Sequence, residues 1–284
     1  MIGSLQTGVS GLQQFQEDLE VIGNNIANVN TTGYKSNTMQ FADTFSQSFG
    51  DTGGGSTRQV GTGVGSSSID SDFTQGAIND SGTKTNLAVS GQGFFVVKDP
   101  TSSVSYVTRD GTFKLDNNGY LVTNTGNRVQ GYTGTAPFSS GSTIGDLQIN
   151  ASTAISSLGD TTTPAPTLTG YNIDATGQIN ATLSDGTSGV IGQVVLQNFS
   201  NPQALLKQGD NLFTFNANSG PLGAAVAPNT NGLGTIRSGA LESSNVDLAG
   251  QMAAMITAQR AFEANAKIVT TSDEVLQDVI NLKR

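Results

Sequence analysis

The sequence predicts an α+β fold, mostly β, in which long N- and C-terminal helices pair as a coiled coil and a central β domain is inserted between them. Apolar residues recur at alternating spacings of three and four near both ends, the pattern of one stripe on a long helix. The intervening chain is rich in Gly, Ser, Thr and Asn, and turn dipeptides there separate short apolar runs.

The C-terminal ladder is Leu248, Met252, Met255, Gln259, Phe262, Ala266, Val269, Asp273, Leu276 and Ile280. No Gly or Pro interrupts it after Gly250. Ser244-Asn245-Val246-Asp247 reads as an N-cap with a carboxylate three residues on, and Lys283 and Arg284 suit the negative end of the helix dipole. At 1.5 Å per residue such a helix exceeds about 50 Å, too long for one small domain to wrap. Its polar rungs, Gln259 and Asp273, are expected to weaken pairing while fixing register.

The partner stripe is Ile2, Leu5, Val9, Leu12, Phe15, Leu19, Ile22, Ile26 and Val29, all apolar. Gly3, Gly8, Gly11 and Gly23 lie off this stripe and each costs about 1 kcal/mol against Ala. The helix should therefore depend on packing, and Asn30 to Gly33 should end it.

From Ser36 to Asp72 the chain is a connecting segment. Phe41, Phe45 and Phe49, four apart, place three rings on one face of a short helix and are candidate contacts with a neighbouring subunit. Gly53-Gly54-Gly55 is a flexible break. Gly61-Thr62-Gly63-Val64-Gly65 resembles a phosphate loop only superficially, because no helix pattern follows it. From Phe73 to Tyr132 short strands alternate with turns, including Asp110-Gly111 and Asp116-Asn117-Asn118-Gly119. The latter lacks the later carboxylate of a calcium loop. Residues 133–170 are low in complexity, with Pro164 and Pro166, and are too few for a substantial core of their own. Strands resume over 171–240. The expected divisions are thus 1–34, 35–72, 73–132, 133–170, 171–240 and 241–284.

Composition narrows function. The chain of 284 residues has no Cys and no His. That removes thiol and imidazole catalysis and the metal sites built on them. Most of the carboxylates sit in turns (Asp110, Asp116, Asp174, Asp185) or on helix faces (Glu17, Asp18, Glu20, Glu263, Asp273, Glu274), with no facing pair implied. No enzyme, cofactor or metal is expected. A net charge of −9 without a basic cluster makes nucleic acid a poor partner. No apolar run is long enough to insert in a membrane, and MIGSLQTGVSGLQQ lacks the features of a cleavable signal peptide. A long exposed apolar stripe marks an interaction site, and head-to-tail contacts that do not close build open helical filaments.

Two motifs then become specific. "NNIANVNTTGYK" (24–35) follows the first helix, and "GALESSNVDL" (239–248) with "AQRAFEANAK" (258–267) opens the last. Both resemble the bacterial flagellar axial proteins, the rod and hook family, as does the block "LAVSGQGFFVV…SYVTRDGTFKLDNNGYLV…GNRVQGY". The resemblance implies a tube of stacked subunits, with the terminal helices inside, the β domain outside and the connecting segment bridging neighbours. It implies flagellar type III export, a place in the hook or basal body outside the cell, and three axial neighbours: distal rod, hook cap and hook–filament junction. Within the family, "GNRVQGY" and "TTSDEVLQDVINLKR" favour a hook subunit, the flexible joint between rod and filament. The short length and missing middle domain favour the alternative, a distal rod subunit. Rod members are further expected to carry a stiffening insertion in the connecting segment, and none is recognisable here. A monomeric extracellular β-domain adhesin is a third reading.

Overall fold

The computed structural model describes residues 2–52, 56–134, 137–138, 142–158, 166–221 and 223–282. Gly53 to Gly55, Pro164, Lys283 and Arg284 lie outside the described residues, as do the side chains of Ile2 and Phe49. In chain order the elements are α1 (Ile2–Ala27), β1 (Asn37–Asp43), β2 (Ser46–Thr52), β3 (Ser56–Gly61), β4 (Val64–Ser71), β5 (Ile78–Asp80), β6 (Leu87–Ser90) and β7 (Phe94–Lys98). Next come β8 (Ser105–Thr108), β9 (Lys114–Leu115), β10 (Leu121–Val122), β11 (Arg128–Thr133), β12 (Ile144–Asp146), α2 (Ala151–Leu158), β13 (Leu168–Ile173) and β14 (Gln178–Leu183). The last are β15 (Ser188–Val194), β16 (Leu196–Gln197), β17 (Leu206–Gly209), β18 (Leu212–Thr214), β19 (Thr235–Ser238), β20 (Ala240–Glu242) and α3 (Leu248–Leu282).

The chain forms two compact units. A helix unit holds Met1–Val29, Lys35–Asp72 and Val246–Arg284, and a β unit holds Asn30–Tyr34 and Phe73–Asn245. The connecting segment therefore clusters with the terminal helices.

In the helix unit α1 and α3 pack together along their lengths. The cap of α3 lies three residues later than the sequence suggested. Asp247, not Ser244, precedes the first helical residue, and its Oδ1 accepts the Ala249 N–H at 3.1 Å. This is the N-cap geometry that satisfies an orphan amide. The expected Phe41–Phe49 helix is absent. β1 pairs antiparallel with β4 and β2 with β3, so a two-stranded ribbon runs from Asn37 to Ser71. A spacing of four repeats on one face of a strand as well as of a helix, so the three Phe could not discriminate the two. Phe41 packs on Phe15 of α1, ring centroids 5.5 Å apart.

The β unit is organised on a sheet ordered β13-β14-β15-β11-β7-β8-β18-β17. Its core joins Leu87, Phe95, Phe113, Leu121, Ile179 and Leu196. The hairpin turns at Asp116–Gly119, Asp174–Gly177 and Asp185–Gly186 form where the dipeptides predict them. Asp110-Gly111 is different. β8 pairs with β7 and β18, and β9 pairs with β10, so no hairpin joins β8 to β9. Gly111 instead lies so close to Leu87 that a Cβ there would overlap the Leu87 carbonyl oxygen. Residues 133–170 add to this shared core through Leu147, Ile149 and Ala154, all nearly fully buried.

Candidate assembly surface

The helix pair is antiparallel, and small or polar side chains form much of its seam. Ser4 Oγ lies 3.4 Å from Ser272 Oγ. A Cβ at Gly8 would lie 3.1 Å from Val269 Cγ2, and one at Gly11 2.9 Å from the Asn265 amide. Asn25 donates to Gln251 Oε1 at 3.1 Å. Ser4, Gly8, Gly11, Phe15, Asp18, Ile22 and Asn25 thus make one 4-3 stripe on α1, with Gln251, Ala258, Asn265 and Ser272 opposite at intervals of seven. Gly8 and Gly11, expected off the seam, are on it, because absence of a side chain is what lets the two backbones approach.

The predicted ladders are offset accordingly. Leu5, Leu12, Leu19 and Ile26 repeat every seven residues one position past the seam and are half-buried, Val9 is exposed, and Val29 lies beyond the helix end. Phe15 and Ile22 are shared by both patterns, and Ile22 is buried. On α3, Met255, Phe262, Val269 and Leu276 are half-buried. The alternate rungs Met252, Gln259, Asp273 and Ile280 run down an exposed flank, with Leu248 exposed at its head. Gln259 and Asp273 are therefore not seam residues within one chain; Asp273 accepts a hydrogen bond from Gln277 on its own helix. Ile268, Val275 and Leu282, also seven apart, are exposed along the other flank. α3 thus carries an apolar band wider than the strip α1 covers, and its uncovered flanks are the candidate assembly surface.

Asn25 was missed in the sequence because Asn in "NNIAN" reads as a cap residue. It is fully buried. Its Nδ2 donates to the Asn37 carbonyl at 2.7 Å and its Oδ1 accepts the Asn37 N–H at 2.9 Å, a side-chain copy of a β-bridge. One amide therefore ties α1 to the start of the ribbon and, through Gln251, to α3. Asn25→Ala removes these bonds and should cost about 1–3 kcal/mol; chemical unfolding followed by helix signal measures it, and a change within error would refute this role.

Partial burial at Asp18 raises its carboxyl pKa above the ordinary aspartate value, since desolvation disfavours the charged form. The folded chain then holds this proton more tightly than the unfolded chain. The associated stability is present in full below the unfolded value and is lost as pH rises through the folded one. Wild type should gain melting temperature relative to Asp18→Asn as pH falls through the carboxylate range; parallel pH profiles would contradict the assignment.

The motifs quoted from the two ends of the chain meet inside the β unit. The Gly33 N–H donates to the Glu242 carbonyl at 2.8 Å, Thr32 Oγ1 to Asp110 Oδ1 at 3.0 Å, and Asn211 Nδ2 to the Thr32 carbonyl at 2.7 Å. Gly33 has φ +67° and backs onto Asp110, where a Cβ would lie 2.6 Å from the Asp110 nitrogen. Glu242 is 1% exposed; its carboxylate accepts the Gly76 N–H at 3.0 Å and faces Arg109 Nη1 at 3.4 Å. Arg109, 4% exposed, also donates to the Gly91 carbonyl and lies over the Phe94 ring. Burial pushes its guanidinium pKa down, and Glu242 opposes that shift.

An end-helix pair with uncovered apolar flanks, carrying a β unit whose buried charges are used to lock the chain, defines a structural subunit. Comparison with known proteins says which. Three family descriptions match: "Flagella basal body rod protein" over residues 5–35, "Flagellar hook protein FlgE/F/G D1 domain" over 88–181, and "Flagellar basal body rod FlgEFG protein C-terminal" over 237–282. The flagellar basal-body rod protein FlgG of Bacillus subtilis is 38% identical over 291 positions, covering all of both chains. FlgG of Borreliella burgdorferi is 34% identical over 292 positions, again covering both chains entirely. The flagellar hook protein FlgE of the same organism is 28% identical, with an alignment stretched to 444 positions. The chain belongs to the flagellar rod and hook family, a family of structural flagellar components and not of enzymes.

Proposed function

We propose that this chain is a distal rod subunit of the flagellar basal body, polymerising with itself and meeting neighbouring axial proteins at the ends of its segment. The observation that carries this reading is length register. The chain aligns with rod proteins end to end over almost its own length, whereas alignment with a hook protein needs about half as many positions again. The alternative stated from the sequence therefore replaces the hook expectation. The Asn37–Ser71 ribbon supports the same reading, since antiparallel pairing of β1 with β4 and β2 with β3 stiffens a segment expected to hold a flexible break at Gly53-Gly54-Gly55. The exposed flanks of α3 supply apolar area for contacts between copies, in line with an open head-to-tail polymer. Export through the flagellar type III apparatus, and exposure beyond the inner membrane, belong to the same proposal.

Purified hook–basal bodies, labelled with antibody to this chain and imaged, test it. Label on the straight segment below the hook is expected. Label on the curved hook would overturn the rod assignment in favour of the hook one.

A further inference from the structure

Among the described side chains of the ribbon, Phe45 is the most exposed aromatic, and its mount is rigid. Phe45 is 94% exposed, yet its neighbours fix it. The Thr44 N–H donates to the Gly63 carbonyl at 3.0 Å and the Thr62 N–H to the Phe45 carbonyl at 3.2 Å. The Thr44 and Thr62 hydroxyls are 3.0 Å apart. Gly63, at φ +138°, backs onto Ser10 of α1 so closely that a Cβ there would overlap the Ser10 hydroxyl. Ser10 Oγ also accepts the Val64 N–H at 3.4 Å. A large ring held out in water by a pinned backbone is an anchor with little ordering entropy left to lose on binding.

The β unit has a cavity of matching chemistry. It measures about 370 Å³ and is walled by Phe73, Phe94, Phe199 and Pro202, with Arg109 and Ser200 among its polar residues. Its rings are already arranged edge to face, Phe73 and Phe94 with centroids at 5.4 Å and Phe94 and Phe199 at 5.7 Å. Another ring entering can extend that cluster in the favoured geometry. Arg109, one of the lining residues, has its Nε buried without an acceptor, so a positive charge with an unmet donor stands beside the cavity. Two other cavities of this unit fit a ring less well. One has no aromatic residue in its wall, and the only ring of the other, Tyr120, is already covered by the Arg128 guanidinium at 4.0 Å.

We propose that Phe45 of one copy inserts into the Phe73–Phe94–Phe199 cavity of a second copy. The carboxylate of Asp43, two residues earlier on the exposed ribbon, is the acceptor that accompanies it toward Arg109. This is a heterologous contact, knob on one face and hole on another, so it propagates an open polymer and does not close a dimer. The inference rests on the rod-subunit reading and adds to it the residues of one contact.

The absence of cysteine from the chain makes the test clean. Cells co-express Phe45→Cys and Ser200→Cys variants on separate chains; a second strain pairs Phe45→Cys with Ser102→Cys, exposed in a turn elsewhere on the β unit. Basal bodies are purified, mildly oxidised and resolved by size. A two-chain product at least several-fold stronger for the Ser200 pairing than for the Ser102 pairing is expected. Equal products, or Phe45→Cys coupling only to itself, overturn the knob-and-hole contact while leaving the rod reading intact. Basal bodies that lack the wild-type chain altogether overturn the rod reading, and the contact with it.

Discussion

Replacing Glu242 with alanine should destabilise the β unit by roughly 3–5 kcal/mol, the range for breaking one half of a buried ion pair. The cost arises less from the lost attraction than from what is left behind. Arg109 would remain buried with a charge its surroundings disfavour, held only by the Gly91 carbonyl and the face of Phe94. The Gly76 N–H would lose its carboxylate acceptor too. Glu242→Gln retains the shape and an acceptor for Gly76 without the charge, and should fall between. A joint Arg109→Met, Glu242→Leu variant should recover much of the loss, because two apolar groups need no compensation in that site. Denaturant unfolding of the three variants checks the ordering. A loss below 1 kcal/mol for Glu242→Ala would mean that Arg109 reaches water when unpaired, and the lock described above would not exist.

This lock also accounts for why the end motifs look as they do. Gly33 supplies a positive φ and room against Asp110, and its N–H meets the Glu242 backbone. "NTTGY" and "GALE" are thus halves of one joint in the β unit, closed by residues more than two hundred positions apart. The sequence displayed both halves and the resemblance that pairs them, but not the joint, because hydrogen bonds between distant loops leave no periodicity.

Periodicity was legible, and its limits are instructive. Both ladders located their helices, since α1 and α3 occupy the predicted spans. What they misplaced by one residue is the contact. The reasoning took the most apolar stripe as the buried one, and in this pair the closest approach belongs to Gly8, Gly11, Ala258 and Asn265. A small-residue stripe has the same 4-3 spacing as an apolar one and sits beside it, so spacing alone cannot rank them. Once the seam is small, the large apolar residues fall on the flanks, where Ile268, Val275 and Leu282 stay exposed. The same ambiguity turned Phe41 and Phe45 from ribbon residues into a helix face. Asp110-Gly111 failed for a different reason: a dipeptide suited to a hairpin was needed instead for close packing on Leu87.

If the seam depends on glycine for its closeness, Gly8→Leu should separate the helices while conservative changes elsewhere on α1 should not. A Cβ at Gly8 already stands 3.5 Å from the Asn265 carbonyl oxygen and 3.1 Å from Val269, so a leucine has backbone on one side and a branched side chain on the other. Overpacking of this kind costs about 1–3 kcal/mol, and here it acts on a pair whose two helices have few large apolar contacts at the centre to resist it. Gly11→Ala is the graded case. It gains about 1 kcal/mol of helix propensity, but its methyl meets the Asn265 amide at 2.9 Å, the end of a side chain that can turn away. Its net effect should therefore be small. Gly3→Ala and Gly23→Ala meet nothing within 4 Å and should stabilise α1 by about 1 kcal/mol each. Helix signal against temperature for the purified chain measures all four, and incorporation into basal bodies shows whether the assembled wall requires the same closeness. Gly8→Leu melting with the wild type, or Gly3→Ala melting below it, would show that the helices are held by their apolar flanks and that the small seam is incidental.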